Sequence, residues 1–160
     1  MKTDASLSQC RKYRFALWRI WDESKSYAMI IRLNPSTADE KEEDRTIKRC
    51  IDFSKSWGYG GLCMVNLFAF RATEPSDMFA VIDPVGSGND EWLVKLSKEA
   101  GVVVAAWGND GSHLGRSKEI VRLIPNLQYL KINKTGEPAH PLYLKALLQP
   151  IRWVSNNQNS

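Results

Sequence analysis

Short apolar runs alternate with amphipathic stretches along most of the chain, and the period of each run predicts an element. Residues 13–21 and 27–33 are rich in aromatic and aliphatic side chains and read as strands, with Glu23-Ser24-Lys25-Ser26 as the turn between them. Their adjacency predicts an antiparallel hairpin leading into the sheet. Over 41–57 the period lengthens. Ile47, Cys50, Ile51 and Ser54 fall at i, i+3, i+4 and i+7, the stripe of an amphipathic helix that Gly58, Gly60 and Gly61 bring to an end. Residues 62–68 form a nearly unbroken apolar run, as expected of a strand covered on both faces. The alternation then repeats. Residues 89–100 read as a helix capped by Asn89, with Trp92, Leu93, Leu96 and Ala100 on one face. A strand over 102–107, a helix over 114–124, a strand over 127–132 and a short closing helix over 141–148 follow. This order predicts an α/β fold: a three-layer α/β/α sandwich with a mostly parallel central sheet and an N-terminal antiparallel hairpin. Residues 1–154 read as a single domain and the polar stretch 155–160 as a disordered tail.

Composition narrows the functional class. With 160 residues, 43% of them hydrophobic and 25% charged, the chain suits one core and does not read as disordered. Cys10, Cys50 and Cys63 form no CxxC pair and leave an odd count, which suits a reducing cytoplasm. Together with His113 and His140 they show no zinc or cluster spacing, so neither metal nor cofactor is expected. No apolar run approaches ~18 residues, so no membrane partner is expected, and the first residues lack a signal-peptide core. The net charge of +4 tilts the choice of partner mildly towards polyanions.

The chemistry collects where strands end. After the second strand comes Asn34-Pro35-Ser36-Thr37-Ala38-Asp39; within and after the third come Asn66 and Ala69-Phe70-Arg71-Ala72-Thr73-Glu74-Pro75. Gly108-Asn109-Asp110-Gly111 follows Trp107, and Gly136-Glu137-Pro138-Ala139-His140-Pro141 follows the last strand. In a parallel sheet all four converge on one edge, where ligands of such sheets bind. Each has a plainer reading. Asn-Pro-Ser-Thr is also turn and helix-start chemistry, Trp107-Gly108 a core aromatic and a tight turn, and a His beside a Pro is often structural. Asn66 inside an apolar strand is harder to dismiss, because a buried amide without partners costs roughly 1–3 kcal/mol.

The order of these signatures resembles the uracil-DNA glycosylase superfamily. Leu33-Asn34-Pro35-Ser36 is similar to its first motif in the Asn-Pro form, with Leu33 and Arg32 where a glycine and its neighbour stand in the family. Asn66 looks like the strand-borne Asn, Trp107-Gly108 like the end of the third strand, and His140-Pro141-Leu142 like the closing His-Pro-Ser with Leu for Ser. The resemblance covers roughly residues 27–148. The whole chain looks closer still to an uncharacterised prokaryotic and phage family marked by L-N-P-S-T-A-D and N-L-F-A-[FY]-R-A-T.

The resemblance implies a monomeric DNA glycosylase acting on a flipped-out base. Asn34 would orient the hydrolytic water, with Asp39 as the competing water-activating group. His140 would donate to the departing base. Asn66 would read the base edge, Phe68 or Phe70 would stack on the base, and Trp107 would border it. Thr37, Arg71, Arg116 and Lys134 are the expected phosphate contacts, and Leu142 or Tyr143 the wedge left in the DNA stack. Where the uracil-specific branch places a Tyr beside pyrimidine C5, this chain has Ser36, which implies room for 5-substituted or otherwise modified pyrimidines. Two other readings stand beside this one: a non-catalytic binder of modified DNA, and an N-glycosidase acting on free nucleosides or nucleotides.

Overall fold

In the computed structural model, which describes residues 1–36 and 44–154, the chain is organised around a β-α-β unit. β3 (Tyr27–Arg32) leads through α1 (Arg45–Ser56) to β4 (Gly61–Asn66), and the two strands pair in parallel with Arg32 opposite Asn66. Asp44 starts the helix by accepting the Ile47 amide at 2.7 Å, which satisfies one of the donors that every helix leaves open at its first turn. After α2 (Pro75–Phe79) and α3 (Asn89–Glu99), β5 (Val102–Ala105) pairs in parallel with the other side of β3. α4 (Arg116–Leu123) then leads to β6 (Leu127–Tyr129), parallel to β5. β1 (Lys2–Leu7) and β2 (Arg14–Ile20) form an antiparallel pair that joins the sheet through β4, and β7 (Ile151–Arg152) closes the far edge against β6.

Among the described residues the sheet has seven strands in the order β1-β2-β4-β3-β5-β6-β7. Side chains along β3 alternate between the two faces, as the strand period requires. Met29 and Ile31 pack with Leu93 and Leu96 of α3 and Ile120 of α4. Ala28 and Ile30 pack with Ile47, Cys50, Ile51 and Phe53 of α1. The chain thus winds from β3 to one side and from β5 to the other. The carboxyl ends of β3 and β5 are a switch point of the kind that binds ligands in such sheets.

Four expectations change. The sheet is mixed rather than mostly parallel, since its three parallel pairings are flanked by three antiparallel ones. The N-terminal hairpin is formed by β1 and β2, not by the strands at 13–21 and 27–33. The helical crossover seats β4 beside β3, and β5 takes β3's other side, so β2 reaches the sheet only along β4. The closing helix is a 3-10 turn at Pro141–Tyr143. The carbonyls beyond it that a longer helix would use accept instead from α1 side chains, Leu144 from Arg49 and Leu148 from the Trp57 indole at 3.0 Å. Asn89, finally, does not cap α3; Gly88 occupies that position.

Asn89 is fully buried, and its amide donates to the carbonyls of Asn66 at 3.0 Å and Leu67 at 3.2 Å. It pins α3 to the end of β4. Asn89→Ala is expected to lower the unfolding free energy by about 2 kcal/mol, because it strips donors from two buried carbonyls. A change in the urea midpoint at constant m measures it.

A candidate site at the carboxyl ends of the parallel strands

At the end of β3 the last strand residue is an arginine. Arg32 is 5% exposed, and its guanidinium is held from two sides. Nε donates to Asn66 Oδ1 at 3.4 Å and Nη1 to Asp44 Oδ2 at 3.0 Å, while Nη2 is buried with no hydrogen-bond partner among the described residues. Asp44 also accepts the Ser36 hydroxyl at 3.1 Å. Burial pushes the Asp44 carboxyl up, but the charge and hydrogen bond of Arg32, the Ile47 amide and the Ser36 hydroxyl together hold it below the usual carboxylate range. Arg14, 1% exposed, contributes a second buried cation: burial, with the nearby charges of Arg32 and Arg71, brings its pKa down to about 9.

The next loop fixes Asn34. Its Nδ2 donates to the carbonyls of Ala72 at 2.8 Å and Pro35 at 3.1 Å. The amide is thereby oriented by backbone, and its Oδ1 remains as an acceptor. Across the crevice, Gly108 adopts φ +78°, and its amide donates to Pro138 at 2.9 Å. That turn sets the His140 segment against the end of β5: a Cβ at Gly108 would lie 3.9 Å from the His140 Cβ. His140 Nδ1 accepts the Leu142 amide at 3.2 Å, so the neutral ring carries its proton on Nε2. Burial and the Arg32 charge lower its pKa against the opposing pull of Asp44, although the ring retains exposed surface. At neutral pH it is an uncharged donor.

A family model described as "Protein of unknown function (DUF1643)" matches residues 14–142, which include every group just described. The chain belongs to the DUF1643 family. No curated protein and no solved structure matches it.

In this DUF1643 chain the fold brings Asn34, Ser36 and His140 to one edge of the sheet, but it does not present the other expected base contacts there. Asn66 is buried with both ends of its amide in use, accepting from Arg32 and donating to the Arg14 carbonyl at 3.3 Å, so it positions Arg32 instead of reading a base. Phe68 is wholly buried, 5.4 Å from the His113 ring. Trp107 is buried with its indole N–H on Glu137 Oε1 at 3.3 Å, and its ring passes so close to Gly111 that a Cβ there would lie 2.0 Å from it. Phe70 is half-buried and packs edge-on against Tyr13.

The expected phosphate contacts also divide. Arg116 is 2% exposed and bonded to Leu67, Asp90 and Glu119, which removes it from any DNA surface. Arg71 is half-buried and donates to the Arg11 carbonyl at 3.1 Å. Lys134 is exposed, Leu142 half-buried, and Tyr143 83% exposed, as a wedge residue would be. Thr37, Asp39 and the tail at 155–160 lie outside the described residues.

Arg32, Asp44 and Arg14 are not among the site residues expected from the sequence, where Arg32 figures only as a departure from the first motif. The signal was present for Arg32, because a charge at the end of the apolar run 27–32 is expensive to bury without a purpose. Asp44, just before the periodic stretch, had the form of a helix cap.

Proposed function

We propose that the chain is a monofunctional DNA glycosylase, a three-layer α/β/α sandwich that hydrolyses the N-glycosidic bond of a flipped-out pyrimidine. The observation that carries this reading is a pair of oriented, uncharged groups at the strand-end crevice. Asn34 offers a fixed carbonyl oxygen, and His140 offers a fixed Nε2–H. In such a hydrolysis water attacks C1′, the C1′–N bond breaks, its electron pair leaves with the base, and the proton that the attacking water loses ends on the anionic base. Asn34 Oδ1 orients that water. His140 donates to the carbonyl oxygen on which the base gathers negative charge, as a preorganised donor does best when it needs no reorganisation. Tyr143, exposed three residues after His140, would fill the space vacated in the stack. On this reading the partner is DNA, and the protein acts as a monomer in the cytoplasm.

A panel of oligonucleotides carrying modified pyrimidines, run beside the matching free nucleotides, tests it. Mass spectrometry of the released base is expected to show release from DNA. Release from monomers alone makes the chain a nucleotide N-glycosidase, and no release at all overturns the enzymatic reading. One observation favours a non-catalytic reader of modified DNA: Asp44, the carboxylate beside Arg32, is already engaged by Ile47, Arg32 and Ser36. Binding without release would establish that reading.

Ser36 tests the substrate. Its side chain is half-buried and smaller than a tyrosine by a whole aromatic ring. Wild type is expected to release a 5-substituted pyrimidine, and Ser36→Tyr to lose that activity at least roughly tenfold while retaining uracil. Parallel single-turnover assays on the two substrates measure the split, and wild-type release of uracil alone would refute it.

A further inference from the structure

We propose that Arg32 is a binding residue for an anionic pyrimidine ring, its Nη2 donating to the edge of the base that departs with the glycosidic electrons. The proposal rests on the base-excising reading above and adds to it a residue and a ligand charge.

The geometry is specific to one atom. Of the five guanidinium N–H donors an arginine carries, those on Nε and Nη1 are directed to Asn66 and Asp44, which fixes the plane of the fork. The remaining nitrogen is buried and has no hydrogen-bond partner among the described residues. Leaving a charged donor so placed costs more than leaving a neutral one, and buried donors without partners are rare in folded proteins. Asn66 and Asp44 would hold the fork equally well if Nη2 reached solvent, so the structural role of Arg32 does not account for the orphan. A ligand acceptor does.

Anionic character follows from the donor: a buried guanidinium gains a Coulomb attraction to an anionic acceptor that a neutral acceptor lacks, and exclusion of water strengthens that attraction. A heterocycle fits better than a backbone phosphate. An internal phosphodiester is tethered on both sides at the protein surface, whereas the edge of a flipped base is a free end. His140 supplies the second donor, on the neighbouring side of the crevice, where the charge of Arg32 is already felt.

The full-length chain is titrated at pH 8 with uracil, neutral there to a large extent, with 5-nitrouracil, ionised there, and with inorganic phosphate. Calorimetry reads the affinities. Wild type is expected to bind 5-nitrouracil roughly tenfold or more tighter than uracil. Arg32→Lys keeps the charge that Asp44 requires but lacks the fork, and is expected to lose that preference, binding 5-nitrouracil no tighter than it binds uracil. If the Lys variant fails to fold, Arg32→Gln combined with Asp44→Asn removes both charges together and is read in the same way. An equal affinity for the two bases, or a preference that survives in the variants, overturns the role of Arg32 and leaves the glycosylase reading intact. Phosphate displacing 5-nitrouracil at comparable affinity overturns it as well, by making the site a general oxyanion site. Failure of wild type to bind either base overturns both readings at once.

Discussion

Arg116→Met is expected to destabilise the protein by about 3 kcal/mol, the largest loss of stability from any single substitution away from the strand-end crevice. Arg116 is almost completely buried at the start of α4, yet it is the meeting point of three elements. Nε and Nη2 both donate to the Leu67 carbonyl just beyond β4, at 3.1 and 2.9 Å. Nη2 also donates to Asp90 of α3 at 2.8 Å, and Nη1 to Glu119 within α4 at 2.9 Å. Removing one member of a buried ion pair commonly costs 3–5 kcal/mol, because the partner charge is stranded. Here the carboxylates of Asp90 and Glu119 are 42% and 45% exposed and regain water, which places the cost at the lower end. What cannot be recovered is the Leu67 carbonyl, left with Asn89 as its remaining side-chain donor. Methionine keeps the stem's volume, so the loss reports hydrogen bonds and charge more than a cavity. Denaturant unfolding measures it. A change below about 1 kcal/mol would mean that Arg116 is a surface cation after all, available to DNA.

His140→Ala is expected to reduce base release by a factor on the order of 10²–10³ with the fold intact, the usual consequence of removing a preorganised donor to developing negative charge. Among the described residues its ring makes one hydrogen bond, from the Leu142 amide, and it keeps exposed surface, so little stability depends on it. The pH profile gives a second check. Burial first, and the Arg32 charge second, lower the His140 pKa below the ordinary 6.5. The ring therefore stays neutral as pH falls to that value and protonates only below it. Activity that depends on Nδ1 accepting from Leu142 should hold through pH 6.5 and decline further into acid. The linkage has the same sign: with the folded value depressed, the unfolded chain binds more protons in this window, so stability falls as pH drops through it. Arg32→Gln removes one of the two causes and is expected to move the acid limb upward. Turnover unchanged in a folded His140→Ala protein would transfer the donor role elsewhere.

The local periods along this chain specified most of its elements. The helices at 45–56 and 89–99 and the strand at 102–105 lie within the stretches read from apolar spacing, because burial on one stripe or on both faces leaves a direct imprint on sequence. The same holds for Asn34 and His140, whose placement at strand ends follows from element order alone. β1, whose exposed outer half carries little apolar signal, and the two-residue β7 left no such imprint.

Partner choice was decided only in three dimensions. A strand pattern states that a segment pairs, not with which neighbour, and the crossover through α1 rather than chain proximity put β4 between β2 and β3. The site shows the same division. By itself the sequence determined an α/β chain with polar loops gathered at strand ends, and it named Asn34, Ser36 and His140. Tertiary structure alone decided that Asn66, Phe68, Trp107 and Arg116 turn inward, and that Arg32 arrives at the crevice with one donor unbonded. The reason is physical: residue type fixes what a side chain can donate or accept, whereas burial and the partners across the sheet fix whether that capacity is already used.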